Sequence, residues 1–100
     1  MRVIYEPEAE QELTDAAEYV AGRASSEMAG DALLVDAAAA EQLISEYPNA
    51  QPPLRGGLRR CLLTHHPYQL VYRVEGDVIR IFAFAHQKRK PGYWRKRVPR

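Results

Sequence analysis

"YQLVYRVEGDVIRIFAFAH" occupies residues 68–86, and its alternation decides the fold. Apolar side chains recur at every second position on both sides of Glu75-Gly76-Asp77, the pattern of two strands joined by a tight turn. A two-residue Gly76-Asp77 loop with glycine first suits that turn and sets the register. Glu75 then lies opposite Val78, Val74 opposite Ile79, and Arg73 opposite Arg80. One face would carry Tyr68, Leu70, Tyr72 and Val74 with Ile79, Ile81, Ala83 and Ala85, and would pack on other elements. The other would carry Gln69, Val71, Arg73, Arg80, Phe82, Phe84 and His86. Directly opposed arginines repel, so this second face predicts an anion or an acidic segment between Arg73 and Arg80.

Upstream, "LRRCLLT" (58–64) reads as a further strand. It follows a break, "PNAQPPLRGG" (48–57), which holds three prolines and two glycines. Before the break the period is helical. "EPEAEQELTDAAEYVAGR" (6–23) has Pro7 at a first-turn position and acids where the helix dipole favours them. Its apolar stripe is Ala9, Leu13, Ala16, Ala17 and Val20, and Gly22 is the expected stop. Ser25-Ser26 can cap a second helix running to about Tyr47, with Met28, Val35, Ala39, Leu43 and Ile44 as the expected buried stripe. The alanines at 37–40 would let the two helices approach closely. "MRVIY" (1–5) reads as a short strand. The expected fold is a single α+β domain over residues 1–100. An N-terminal strand and an antiparallel helical hairpin pack on a small, mainly antiparallel sheet, in the order β-α-α-β-β-β, with a short basic C-terminal segment.

One hundred residues with a 46% hydrophobic fraction suit one globular domain. No apolar run reaches the ~20 residues of a membrane span, and the N-terminus turns acidic where a signal peptide would turn apolar. Cys61 is the one cysteine, so no disulfide framework is expected; it lies on the apolar strand and reads as core. These features predict a reduced, cytoplasmic protein without membrane contact. The adjacent His65 and His66 would point to opposite faces of a strand, which argues against a metal pair, and no cofactor is expected.

The overall charge of +1 conceals a strong asymmetry. Residues 1–50 carry two basic and eleven acidic side chains, whereas residues 51–100 carry twelve basic and two acidic ones. The halves therefore hold −9 and +10, a separation that points to an acidic or polyanionic partner for the second half. Acidic helices resting on a basic sheet would absorb part of it. The last thirteen residues, with seven basic side chains and no acid, look beyond the reach of such compensation. Tyr93 and Trp94, threaded through "HQKRKPGYWRKR" (86–97), read either as a core lid, favoured for Trp94, or as a base-stacking platform. A DNA-binding repressor is disfavoured, because both helices are acidic and neither makes a basic recognition helix.

The set comprising Leu58-Arg59-Arg60 entering a strand, Tyr68 through Val74, Gly76-Asp77 and His86 through Arg97 resembles the RelE/ParE superfamily of bacterial type II toxins. The resemblance spans nearly the whole chain and is closer to the ParE-like branch. It implies a growth-arresting toxin neutralised by a cognate antitoxin with an acidic, helix-forming tail. For the ParE-like branch it implies DNA gyrase as target and binding without chemistry. The alternative is a RelE-like, ribosome-dependent mRNA endoribonuclease, for which Arg73, His86, Arg89 and Tyr93 are the candidate catalytic residues. That set departs from the ribonuclease pattern at Thr64, where those enzymes place an arginine, and in its missing lysines before that strand. On either reading the surface expected to meet target or antitoxin comprises Arg59, Arg60, Arg73, Arg80, Lys88, Arg89, Lys90, Tyr93, Trp94, Arg95 and Arg97. A groove beside the helical hairpin is expected to accept an antitoxin helix.

Overall fold

In the computed structural model, which describes residues 1–99, the expected element order is realised. Strand β1 (Arg2–Tyr5) leads into helix α1 (Pro7–Ala24) and helix α2 (Glu27–Glu46). Strands β2 (Arg59–Leu62), β3 (Tyr68–Glu75) and β4 (Val78–His86) complete a four-stranded sheet in the order β1-β4-β3-β2. The helical hairpin carries the chain back, so β1 runs parallel to β4, while β4, β3 and β2 form an antiparallel meander.

Helix α1 starts at Pro7 with Glu8 and Glu10 in its first turn, but it passes through Gly22, the expected stop, and ends two residues beyond it at Ala24. Ser25 takes the left-handed conformation at φ 50°, and the N–H groups of Ser25 and Ser26 donate back to Gly22 and Ala21. That pairing is a Schellman-type end, and it terminates the helix although serine is not the residue best suited to the conformation. Helix α2 lies so close to α1 that a Cβ on Gly30 would stand 2.9 Å from the Ala17 carbonyl oxygen.

The buried stripe of α2 is Gly30, Leu33, Asp36, Ala37, Ala40 and Ile44. Of the expected stripe only Ile44 is buried; Met28 and Val35 are 79% and 70% exposed, and Ala39 and Leu43 also face outward. The helix carries two apolar stripes at helical spacing, and the one through Met28 and Val35 faces solvent.

The hairpin register at Glu75–Val78, Val74–Ile79 and Arg73–Arg80 is as expected, and Gly76, at φ 64°, opens its turn. Farther along, the ladder shifts: Tyr72 faces Ile81 and Val71 faces Ala83, leaving Phe82 as a bulged residue without a partner. A bulge turns every later side chain to the other face. Phe84 therefore joins Leu70, Tyr72, Ile79 and Ile81 against the helices, reversing the expected positions of Phe84, Ala83 and Ala85. Ala83 and Ala85 help form a second core on the far face, with Leu58, Val71, Phe82 and Trp94. Leu54, Tyr93 and Val98 pack against it, so the loop after α2 and the C-terminal segment cover a face expected to be open.

Candidate functional site

The opposed arginines have their anion. Glu75, the last residue of β3, accepts from Arg73 Nε at 2.8 Å and from Arg73 Nη2, and its other oxygen lies 3.1 Å from Arg80 Nε. Arg80 Nη1 donates to Glu6, just before α1, at 2.6 Å. The Arg73 hydrogen bonds hold the Glu75 carboxyl below its ordinary range despite some desolvation. Arg80 is pushed above its ordinary value, chiefly by its hydrogen bond to Glu6 and then by Glu75. This four-residue network neutralises itself.

A second network ties the C-terminal segment to α1. Glu12 lies three residues after buried Ala9 and four before buried Ala16, at the margin of the packed face. Its carboxylate accepts from the Tyr93 hydroxyl at 2.5 Å, Arg97 Nη1 at 2.7 Å and the Phe84 N–H at 3.2 Å. Arg97 also reaches the Phe82 carbonyl at 3.1 Å and Glu8 at 3.2 Å. Arg89 lies 3.6 Å from Glu12 and the same distance over the centre of the Tyr93 ring. Burial, with the Glu12 hydrogen bond second, pushes the Tyr93 phenol far above its ordinary value. Burial works against the Arg97 charge, yet Glu12 outweighs it and the pKa is raised. The acidic half thus compensates part of the C-terminal run, contrary to expectation. Glu12 is the residue sequence reasoning missed; its place between Ala9 and Ala16 is the signal that could have found it.

These networks sort the expected binding residues. Arg73, Arg80, Arg89 and Arg97 are ion-paired. Trp94 is 3% exposed and sits in the second core as a lid, so its ring offers no stacking face. The half-buried Tyr93 meets it edge-on at 5.2 Å between ring centres. Arg59 donates to the Gln51 carbonyl at 2.7 Å. Among the described residues, Arg60, Lys88, Lys90, Arg95 and Lys96 are exposed and form no ion pair.

The candidate catalytic set is assembled only in part: Arg89 lies over the Tyr93 ring and lines a groove with His86, and Arg73 stands apart from them. Arg73 pairs with Arg80 near the hairpin turn, whereas His86 pairs with Tyr68 five positions away along the ladder. At ~3.3 Å per residue that is about 16 Å. The bulge also places His86 on the helix side, against Tyr68 and in a groove with Glu12, Asp15, Tyr19 and Arg89. Its Nδ1 accepts the Lys88 N–H at 3.1 Å. The Tyr93 hydroxyl already donates to Glu12, so the proton that a general acid would give is held by a carboxylate.

His65 and His66 follow β2, and both meet the buried Asp36 of α2. The carboxylate accepts the His65 N–H at 2.9 Å and lies 2.8 Å from His66 Nδ1. Burial pushes the Asp36 pKa upward, but the hydrogen bonds from His66 and the His65 N–H outweigh it and the net shift is downward. Among the described residues no three such side chains cluster as a metal site. Cys61 is buried, and desolvation raises its thiol pKa.

Among the described residues no helix is long and apolar enough to cross a membrane. The fold is similar to that of a solved chain titled "Chromosomal ParDE TA system from P. aeruginosa". The likeness has a TM-score of 0.69 at 20% identity and covers 86% of this chain and 95% of that one. No curated protein matches the sequence. Residues 3–91 match the family described as "ParE toxin of type II toxin-antitoxin system, parDE". The chain belongs to this ParE toxin family, within the RelE/ParE superfamily.

Proposed function

We propose that the whole chain acts as one cytoplasmic toxin domain that arrests growth by binding DNA gyrase, and that a cognate antitoxin neutralises it. Toxin and antitoxin would together stabilise the plasmid or chromosomal segment that encodes them. The observation that carries the binding reading is the separation of Arg73 from His86 by about 16 Å and by opposite faces of the sheet. General acid–base catalysis needs its groups within hydrogen-bond reach of one substrate. The unpaired Lys88, Lys90, Arg95 and Lys96 supply a surface for an acidic partner, which speeds encounter and sets specificity. The apolar stripe of α2 through Met28, Val35 and Leu43 suits the apolar face of an antitoxin helix, whose acidic tail would reach the basic segment.

Pulse labelling after induction of the chain without antitoxin tests the reading. Thymidine incorporation is expected to collapse while methionine incorporation continues, and purified protein is expected to inhibit gyrase supercoiling. Methionine incorporation falling first would instead identify the ribosome as target and return Arg73, His86, Arg89 and Tyr93 to candidacy as catalytic residues.

A further inference from the structure

On the sheet face away from the helices, a cavity of about 300 Å³ opens between the 55–58 loop and the C-terminal segment. Arg55, Arg73 and Arg95 converge on it, over an apolar floor of Leu58, Val98 and Pro99. The three guanidinium groups come from separate parts of the chain; those of Arg73 and Arg95 are held in place, and Arg55 is exposed at the rim. Arg73 is fixed by Glu75, by the Pro99 carbonyl at 3.2 Å, and by the Phe82 ring, whose centre is 5.5 Å from Cζ. Arg95 donates to the Arg55 carbonyl at 3.4 Å and lies across Gly92, where a Cβ would stand 3.3 Å from Nε. Positioned guanidinium groups lose little freedom on binding an oxyanion and match its geometry with paired donors.

The charge around the cavity selects the anion. Arg73 and Arg80 are balanced by Glu75 and Glu6, so their network adds no net charge. Arg55 and Arg95 have no acidic partner among the described residues, which leaves two positive charges at the rim. A carboxylate or a phosphodiester carries one negative charge and would leave one of these uncompensated. A phosphomonoester carries nearly two at neutral pH, with three acceptor oxygens. The cavity is larger than a phosphate alone, and its apolar floor suits a sugar or base attached to it. We infer that the Arg55–Arg73–Arg95 cavity is a binding site for a phosphomonoester, the terminal phosphate of a nucleotide or of a nucleic-acid end. This site is independent of which macromolecule the toxin arrests.

Titration calorimetry on the full chain at constant ionic strength tests it, with inorganic phosphate and dimethyl phosphate as the first probes. Phosphate is expected to bind at least about tenfold more tightly than the singly charged diester. The double variant Arg55→Ala/Arg95→Ala is expected to weaken phosphate binding at least about tenfold, because charge-assisted hydrogen bonds are lost. Removing two exposed charges elsewhere, in Arg2→Ala/Arg23→Ala, is expected to leave it unchanged. Adenosine 5′-monophosphate and a 5′-phosphorylated tetranucleotide then distinguish the source, and the tighter of the two identifies it. Failure of phosphate to bind, equal binding of dimethyl phosphate, or equal weakening by both double variants would overturn the site.

Discussion

Replacing Glu12 by alanine should unlatch the C-terminal segment before the rest of the protein unfolds. The carboxylate serves three part-buried donors: the Tyr93 hydroxyl, Arg97 Nη1 and the Phe84 N–H. A donor stripped of its acceptor costs ~1 kcal/mol when water can partly replace it, and up to ~3 kcal/mol when water cannot. Arg97 keeps Glu8 and the Phe82 carbonyl, which limits its share. The contact to the more exposed Arg89 adds little, as surface pairs do. The sum is about 2–3 kcal/mol, and most of it falls on residues 93–97. For a domain of this size that corresponds to a fall in Tm of ~10–20 °C if the loss is felt globally. Trp94 is the one tryptophan and is buried in the second core, so its fluorescence reports on this segment, while far-UV circular dichroism reports on the helices. In urea the Glu12→Ala fluorescence midpoint is expected to fall clearly below the dichroism midpoint, whereas the two coincide in the parent protein. Coincident transitions within ~0.5 kcal/mol of the parent, the usual range for an inert surface change, would refute the latch.

Other expectations follow from the same physical reasoning. Ser25→Gly should stabilise the protein by about 1 kcal/mol in urea titrations, because glycine adopts the φ of 50° without the Cβ clash; a loss of stability would show that the serine side chain matters there. Asp36 and Glu75 have folded pKa values below their ordinary 3.8 and 4.5, so each stabilises the fold above those values and stops doing so as pH falls through its lower folded value. Stability should therefore fall as pH drops from about 5 to 3, and Asp36→Asn should be less stable at neutral pH but flatter across that window. An unchanged slope in the variant would remove Asp36 from the account. Replacing Lys88, Lys90 and Lys96 by alanine should weaken toxicity and lower the salt sensitivity of antitoxin association, both of which would stay constant if these cations were only solvated. His86→Ala should keep most toxicity, and complete loss in a folded variant would favour the ribonuclease.

Much of the architecture could be read from the order of residues because its signals are local. Alternation over residues 68–74 and 78–81, a glycine-led turn and the helical period of residues 7–24 each arise from neighbours within a few positions. Those features set the element order and the register next to the turn. The register beyond it was hidden, because a bulge at Phe82 leaves no mark in a run that stays apolar throughout. That one residue decides that Phe84 faces the helices, that Ala83 and Ala85 face Trp94, and that His86 stands away from Arg73.

The functional surface divides in the same way. Composition alone established an acidic first half and a basic second half, and opposed arginines at Arg73 and Arg80 required an anion between them. Which cations were spent at home and which remained for a partner depended on contacts across 70 or more residues, such as Glu6 with Arg80 and Glu12 with Arg97. Helix α2 shows the same limit, since periodicity finds both of its apolar stripes and cannot rank them. Only packing against α1 and the sheet buries the stripe through Gly30, Leu33 and Ile44 and leaves Met28 and Val35 to solvent. Local pattern carries the period of a face, whereas the direction of that face is set by whichever distant surface the chain brings against it.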